Sequence, residues 1–439
     1  MQKLGRKLQK IGLFFISTLL LSGGIVADDH GASRFDENKL SEIKAQFDSY
    51  YMDGRIPNYA FGLYSKSGGT IYSAINGLTA MTSGSEVDLN TIYWLASMTK
   101  PVVSAAIMKL IEEGKLDLDD QLSKYFPEFS DMLVAPEGNY DNTLEEAKRP
   151  ITLRHLITHT SGLTYQPNVT GVGDVAKQYE EFQIMNCYTA GDDTTLSDHM
   201  EMLSQLPLIA HPGEAWNYSV GIDALGAVIE KVTGKKLDVY LSETFFTPLG
   251  MNDSFFYVPI DKRANASRIF TSLDAANMPE EDPTAKINWK IIESPVWKRG
   301  FEATEAPACS SGGGGLWASV NDFGRFLQMI ANDGLFAGQQ ILARETVALM
   351  LENQTSTLLP ETFRRAFGED ASSFMEFTAG FGRKIVKDQV DYYFWGGAAN
   401  TFFWMDKAKD HIGVFATQLA PSVYNVSDNI EEIVDQAGL

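Results

Sequence analysis

Trp94-Leu95-Ala96-Ser97-Met98-Thr99-Lys100-Pro101 is the stretch on which the reading of this chain turns. It opens a predicted helix over 98–113 and sets Ser97 and Lys100 three residues apart, on one helix face. Tyr93, Trp94 and Leu95 lead in, and Val102 to Ile107 follow, so the helix is expected to be buried. An unpartnered lysine is costly there. Burial also lowers an amine's pKa, which lets it take a proton from a neighbouring serine. The helix start leaves backbone N–H groups unpaired, and that of Ser97 can face a developing oxyanion. Pro101 removes one backbone bond, to the Ser97 carbonyl.

The tetrad recurs at Ser41-Glu42-Ile43-Lys44, on an amphipathic helix predicted over 37–52 from Leu40, Ile43, Phe47 and Tyr50. That copy reads as a solvent-facing or capping serine. A second frame is His211-Pro212-Gly213-Glu214-Ala215-Trp216-Asn217-Tyr218-Ser219. Its Pro-Gly marks a turn, and Tyr218 precedes a predicted helix, Gly221–Val232, stopped by Gly234. A phenol beside a lysine can act as a general base, because the cation favours phenolate.

Working outward, Ala60–Tyr64 and Thr70–Ala74 alternate as strands around the turn Ser67-Gly68-Gly69. Further strands are predicted at Gly382–Val386, Val390–Trp395, Asn400–Met405 and His411–Thr417, and helices at Val320–Ala331 and 426–437. Strands therefore lie at both ends of the chain. The expected fold is α+β, an antiparallel sheet built from both ends and flanked by terminal helices, with a mainly helical lobe inserted. The α/β lobe would take about 38–130 and 320–439, and the helical lobe about 131–319, within one domain from 28 to 439.

The chain has 439 residues, 44% hydrophobic and 21% charged, enough for a large core. Its net charge of −21 repels nucleic acid and acidic membrane surfaces. Lys3, Arg6, Lys7 and Lys10 precede the apolar run Ile11–Leu21 and a small-residue site at Ile25-Val26-Ala27, so residues 1–27 read as an export signal. An uncleaved anchor is the alternative. The two cysteines, Cys187 and Cys309, could pair in an oxidising compartment, but nothing in the sequence brings them together and they are read first as two separate buried thiols. His155 and His159 share a helical spacing but find no third ligand, and no metal is expected. Ser310-Ser311-Gly312-Gly313-Gly314-Gly315 lacks the Lys-Ser/Thr of a phosphate loop and reads as a tight turn beside a crevice.

The two frames, with Ile151–Leu163, Val232–Leu237, Pro248–Met251, Ser311–Leu316 and Trp395–Ala398, resemble in order the serine β-lactamase-like hydrolases. That group holds class C β-lactamases, penicillin-binding DD-peptidases and family VIII carboxylesterases. The resemblance implies Ser97 as nucleophile, Lys100 as its activator and Tyr218 as the proton-shuttling base. It implies backbone N–H groups of Ser97 and Ala398 as the oxyanion hole, and no cofactor. Trp395, Gly396 and Gly397 stand in the place of the family's K-T-G strand motif. With Val220 and Trp216 they are expected to line the substrate pocket.

Two departures point away from lactams. Tyr218-Ser219-Val220 replaces Y-x-N, so the amide that would hold a β-lactam side chain is missing. Tyr140-Asp141-Asn142 has the letters but not the frame. Trp395 replaces the cation that attracts a substrate carboxylate, and an indole suits an apolar acyl or alcohol group instead. Hydrolysis of short-chain carboxylic esters is expected. A β-lactamase or D-amino-acid peptidase is the alternative, and a non-catalytic binding protein on the same fold is the second. The partner expected is a small-molecule ester or lactam, with no obligate protein partner evident.

Overall fold

A hairpin near the start of the chain joins strands from its end. In the computed structural model, which describes residues 34–80, 84–141, 143–167, 169–187, 193–272, 289–291, 307–355, 375–387, 389–420, 426–427 and 429–438, β1 (Asn58–Tyr64) pairs antiparallel with β2 (Thr70–Gly77). The segment 1–27 and Asn142 lie outside the described residues. Gly68, at φ +112°, takes the tight turn between the strands, a conformation that costs glycine little.

The later strands are β5 (Met375–Phe377), β6 (Gly382–Val386), β7 (Gln389–Gly397), β8 (Thr401–Asp406) and β9 (His411–Ala416). Among the described residues the sheet is seven-stranded and antiparallel throughout, in the order β5-β6-β7-β8-β9-β1-β2. The seam between the chain ends is β1 on β9, with Ala60 opposite Ala416. A separate two-stranded pair, β3 (Ile92–Trp94) and β4 (Trp317–Ser319), lies outside this sheet.

Every residue of β1 is buried, because helices cover both faces of the sheet. Tyr59, Phe61 and Leu63 face one way, against Leu40, Ile43 and Phe47 of α1 (Glu37–Met52) and Ile430 and Val434 of the last helix, Ile430–Ala437. The other face meets the helix Val320–Ala331, where the Phe323 and Phe403 rings lie 5.2 Å apart. Each fully buried aromatic contributes about 1.5–3 kcal/mol.

The expected α+β architecture is present. Between β3 and Val320–Ala331 run α2 (Thr99–Glu112), α3 (Leu153–Ile157), α4 (Gly173–Glu181), α5 (Leu196–Ser204) and α6 (Gly221–Thr233), the last ended by Gly234 at φ +68°. The insertion corrects one expectation. Cys187 and Cys309 form a disulfide, with Cα atoms 5.3 Å apart and a sequence separation of 122. Folding brings the turns after α4 against the segment that leads into the glycine run, a proximity no local pattern reports.

Candidate active site

Ser97 does not begin the α-helix. It sits in a 3-10 turn, Ala96–Met98, and α2 starts at Thr99. Ala96 has φ +47°, a left-handed backbone that costs a non-glycine residue about 1–3 kcal/mol. The Thr99 hydroxyl clamps that turn by donating to the Ala96 carbonyl at 2.6 Å. Pro101 falls in the first turn of α2, where the missing N–H leaves no helical bond unmade.

Lys100 is 1% exposed. Its Nζ donates to Ser97 Oγ at 3.2 Å and to the Gly313 carbonyl at 2.6 Å, and lies 4.6 Å from the centre of the Tyr218 ring. The S-x-x-K spacing thus delivers the lysine to the serine hydroxyl, and the glycine run supplies its second partner. That run is tied to the segment it faces. Trp94 Nε1 donates to the Gly314 carbonyl at 2.6 Å, and the Leu316 N–H donates to Thr99 Oγ1 at 3.0 Å.

Tyr218 stands in an aromatic box. Ring centres lie 4.8 Å away for His159, 5.2 Å for Tyr165, 5.7 Å for Trp395 and 6.1 Å for Trp216, which stacks nearly parallel. Trp216 and Val220 are each 1% exposed, so they back the tyrosine rather than present a free surface. Trp395 is also buried, edge-on to Phe377. Gly396 and Ala398 are exposed, and the Ala398 N–H has no partner among the described residues. The end of β7 lies hard against the approach to Ser97: a Cβ on Gly397 would come within 2.3 Å of the Leu95 carbonyl.

Four residues here were not assigned to the site by the sequence, although His159 and Gly313 lie in stretches the resemblance covers. Asp223, on the first turn of α6, accepts from the Ser311 hydroxyl at 2.6 Å and from the Gly313 N–H at 2.9 Å. Its only signal is a lone acid in the apolar run of Gly221–Val232. His159, with φ +57°, sets Nδ1 3.3 Å from Ser219 Oγ, and its carbonyl accepts from the Asn217 N–H at 2.8 Å. Burial, and then the Lys100 charge, hold its pKa well below the usual imidazole value. Tyr165 and the Gly313 carbonyl complete the surround of Lys100.

The second S-x-x-K tetrad and two histidines outside the site have structural posts. Ser41 donates to the Asn38 carbonyl at 2.6 Å, and Lys44 pairs with half-buried Asp48 at 2.5 Å within α1. His411 bridges Trp404 Nε1 and Asp435. His155 closes a capping box at the start of α3, its Nδ1 accepting from the Thr152 N–H at 3.2 Å.

Burial, and then Arg149 and Arg154, hold His155 down to about 4, against about 6.5 unfolded. A depressed imidazole gives stability that is complete above the unfolded value and lost as pH falls through the folded one. Thermal midpoints taken from pH 7 to 4 should therefore fall less steeply for His155→Gln, whose side chain can still close the box. Parallel curves would disprove this.

The family model described as Beta-lactamase matches residues 43–437. The chain belongs to the beta-lactamase family. Within this family it is 30% identical to Esterase EstB of Burkholderia gladioli over 304 residues, covering 67% of this chain and 71% of that protein. It is 28% identical to the lovastatin esterase of Penicillium rubens over 367 residues, 79% of this chain and 85% of that one. Among solved beta-lactamase-family folds, EstCE1, a hydrolase with promiscuous acyltransferase activity, superposes with a TM-score of 0.70 at 23% identity. The match covers 90% of this chain and 98% of that one, a likeness of fold.

Proposed function

We propose that this beta-lactamase-fold hydrolase is an exported serine esterase that cleaves short-chain carboxylic esters through an acyl-enzyme on Ser97. The observation that carries it is Lys100 Nζ, held between Ser97 Oγ and the Gly313 carbonyl beneath the Tyr218 ring. Ser97 Oγ attacks the ester carbonyl carbon, and its proton leaves through the Lys100–Tyr218 pair. The bond to the alcohol breaks and the alcohol takes that proton. Water then repeats the sequence on the acyl-enzyme. The N–H groups of Ser97 and Ala398 receive the oxyanion, each worth about 2.7–4 kcal/mol in the transition state.

Ester over lactam rests on Trp395, an indole where the family's lysine would bind a carboxylate, and on Val220 in place of the amide. Gly396 and Gly397 line the acyl pocket with Trp395 packed behind them, and the named activities of the two esterases support the choice. Export is supported by the basic and apolar leader and by the Cys187–Cys309 disulfide, since such bonds persist in oxidising compartments.

The test is turnover of a nitrophenyl ester series beside nitrocefin. The expected result is ester turnover at least 100-fold above nitrocefin turnover, highest for short chains. Faster nitrocefin cleavage would replace this reading with a β-lactamase. Absence of both turnover and a fluorophosphonate adduct on Ser97 would replace it with a binding protein.

A further inference from the structure

Asp223 is 2% exposed and cannot touch a substrate, yet it meets both halves of the site. It sits five positions after Tyr218 in sequence, on the first turn of α6. One carboxylate oxygen gathers the Ser311 hydroxyl and the Gly313 N–H, and the same Gly313 turns its carbonyl to Lys100 Nζ. The approach is close. A Cβ on Gly313 would stand 2.2 Å from the other carboxylate oxygen, so only glycine fits there. Burial raises the carboxyl pKa, opposed by the Lys100 charge and by the two hydrogen bonds.

We propose that Asp223 is a positioning residue: it locks the Ser311–Gly313 turn to the helix behind Tyr218, so that Gly313 aims Lys100 at Ser97. The inference rests on the esterase reading above. The carboxylate acts as a hydrogen-bond acceptor across the turn. Without it, the Gly313 carbonyl is free to rotate and Lys100 loses one of its two partners. A misplacement on the order of 1 Å costs about 100-fold in rate.

The variants are Asp223→Ala, Asp223→Asn and Ser311→Ala, with kcat expressed per fluorophosphonate-titrated site. Asp223→Ala should lower kcat about 100-fold with KM within about threefold, and slow phosphonylation of Ser97 in parallel. Asp223→Asn keeps an acceptor oxygen and should stay within about fivefold of wild type. Ser311→Ala, which removes one of the two donors, should fall between them and stands in if Asp223→Ala does not fold.

A purely structural aspartate would lower the melting temperature of Asp223→Ala while kcat per titrated site stayed near wild type, and that result would overturn the proposal. Asparagine as damaging as alanine would overturn it too, by making charge rather than hydrogen bonding the cause. If instead Ser97→Ala keeps wild-type turnover, the esterase reading itself is what fails.

Discussion

Lys100→Met is expected to lower ester kcat by about 10⁴-fold, and Ser97→Ala at least as far. Methionine nearly matches the lysine stem in volume, so the buried site, 1% exposed, stays filled while the amine disappears. Both bonds of the nitrogen are lost with it, to Ser97 Oγ at 3.2 Å and to the Gly313 carbonyl at 2.6 Å. Among the described residues, no other side chain hydrogen-bonds to the Ser97 hydroxyl. KM should move little, since neither bond reaches toward the ester. Groups that act as a unit are not additive, so the double variant should be no slower than the worse single one. Circular dichroism and a melting curve check that the variants fold, and intact mass after a fluorophosphonate checks the nucleophile. A Lys100→Met enzyme within tenfold of wild type would remove the lysine from the mechanism.

Breaking the Cys187–Cys309 disulfide should lower stability substantially. The bridged cysteines are 122 apart in sequence, and constraining a loop of that length in the unfolded chain is worth about 5 kcal/mol on the chain-entropy account. For a chain of this size that corresponds to a fall of roughly 6 °C in melting temperature. Cys309 lies just before Ser311 and Gly313, so the loss should also loosen the turn that holds Lys100 and reduce kcat. Melting curves and ester turnover, with and without reductant and for the paired Cys→Ser variant, measure both effects. An unchanged melting temperature after verified loss of the bond would show that packing alone holds the two segments.

Local pattern was enough for most elements. The alternation of 60–64 and 70–74, the helical spacing of 37–52 and the stop at Gly234 each report interactions between near neighbours in sequence. The structure agrees to within a few residues. Ser97 and Lys100 share a short spacing with Ser41 and Lys44, so what singled out the first pair was its apolar setting over 93–107 and the resemblance to the serine hydrolases. The 3-10 turn at Ala96–Met98 was not legible, because the strain at Ala96 is held by Thr99 and by the Leu316 bond to it.

By itself, then, the order of residues determined the elements and the antiparallel sheet built from two chain ends, which depend on hydrophobic period and turn chemistry, and it offered the serine–lysine pair through its apolar setting and the family resemblance. Only the tertiary structure decided that Cys187 meets Cys309, that Trp216 and Val220 lie behind Tyr218, and that Asp223 gathers Ser311 and Gly313 beneath Lys100. These contacts join residues about 90 or more positions apart, or depend on which way a buried side chain faces, and both are set by how the whole core packs rather than by any local pattern.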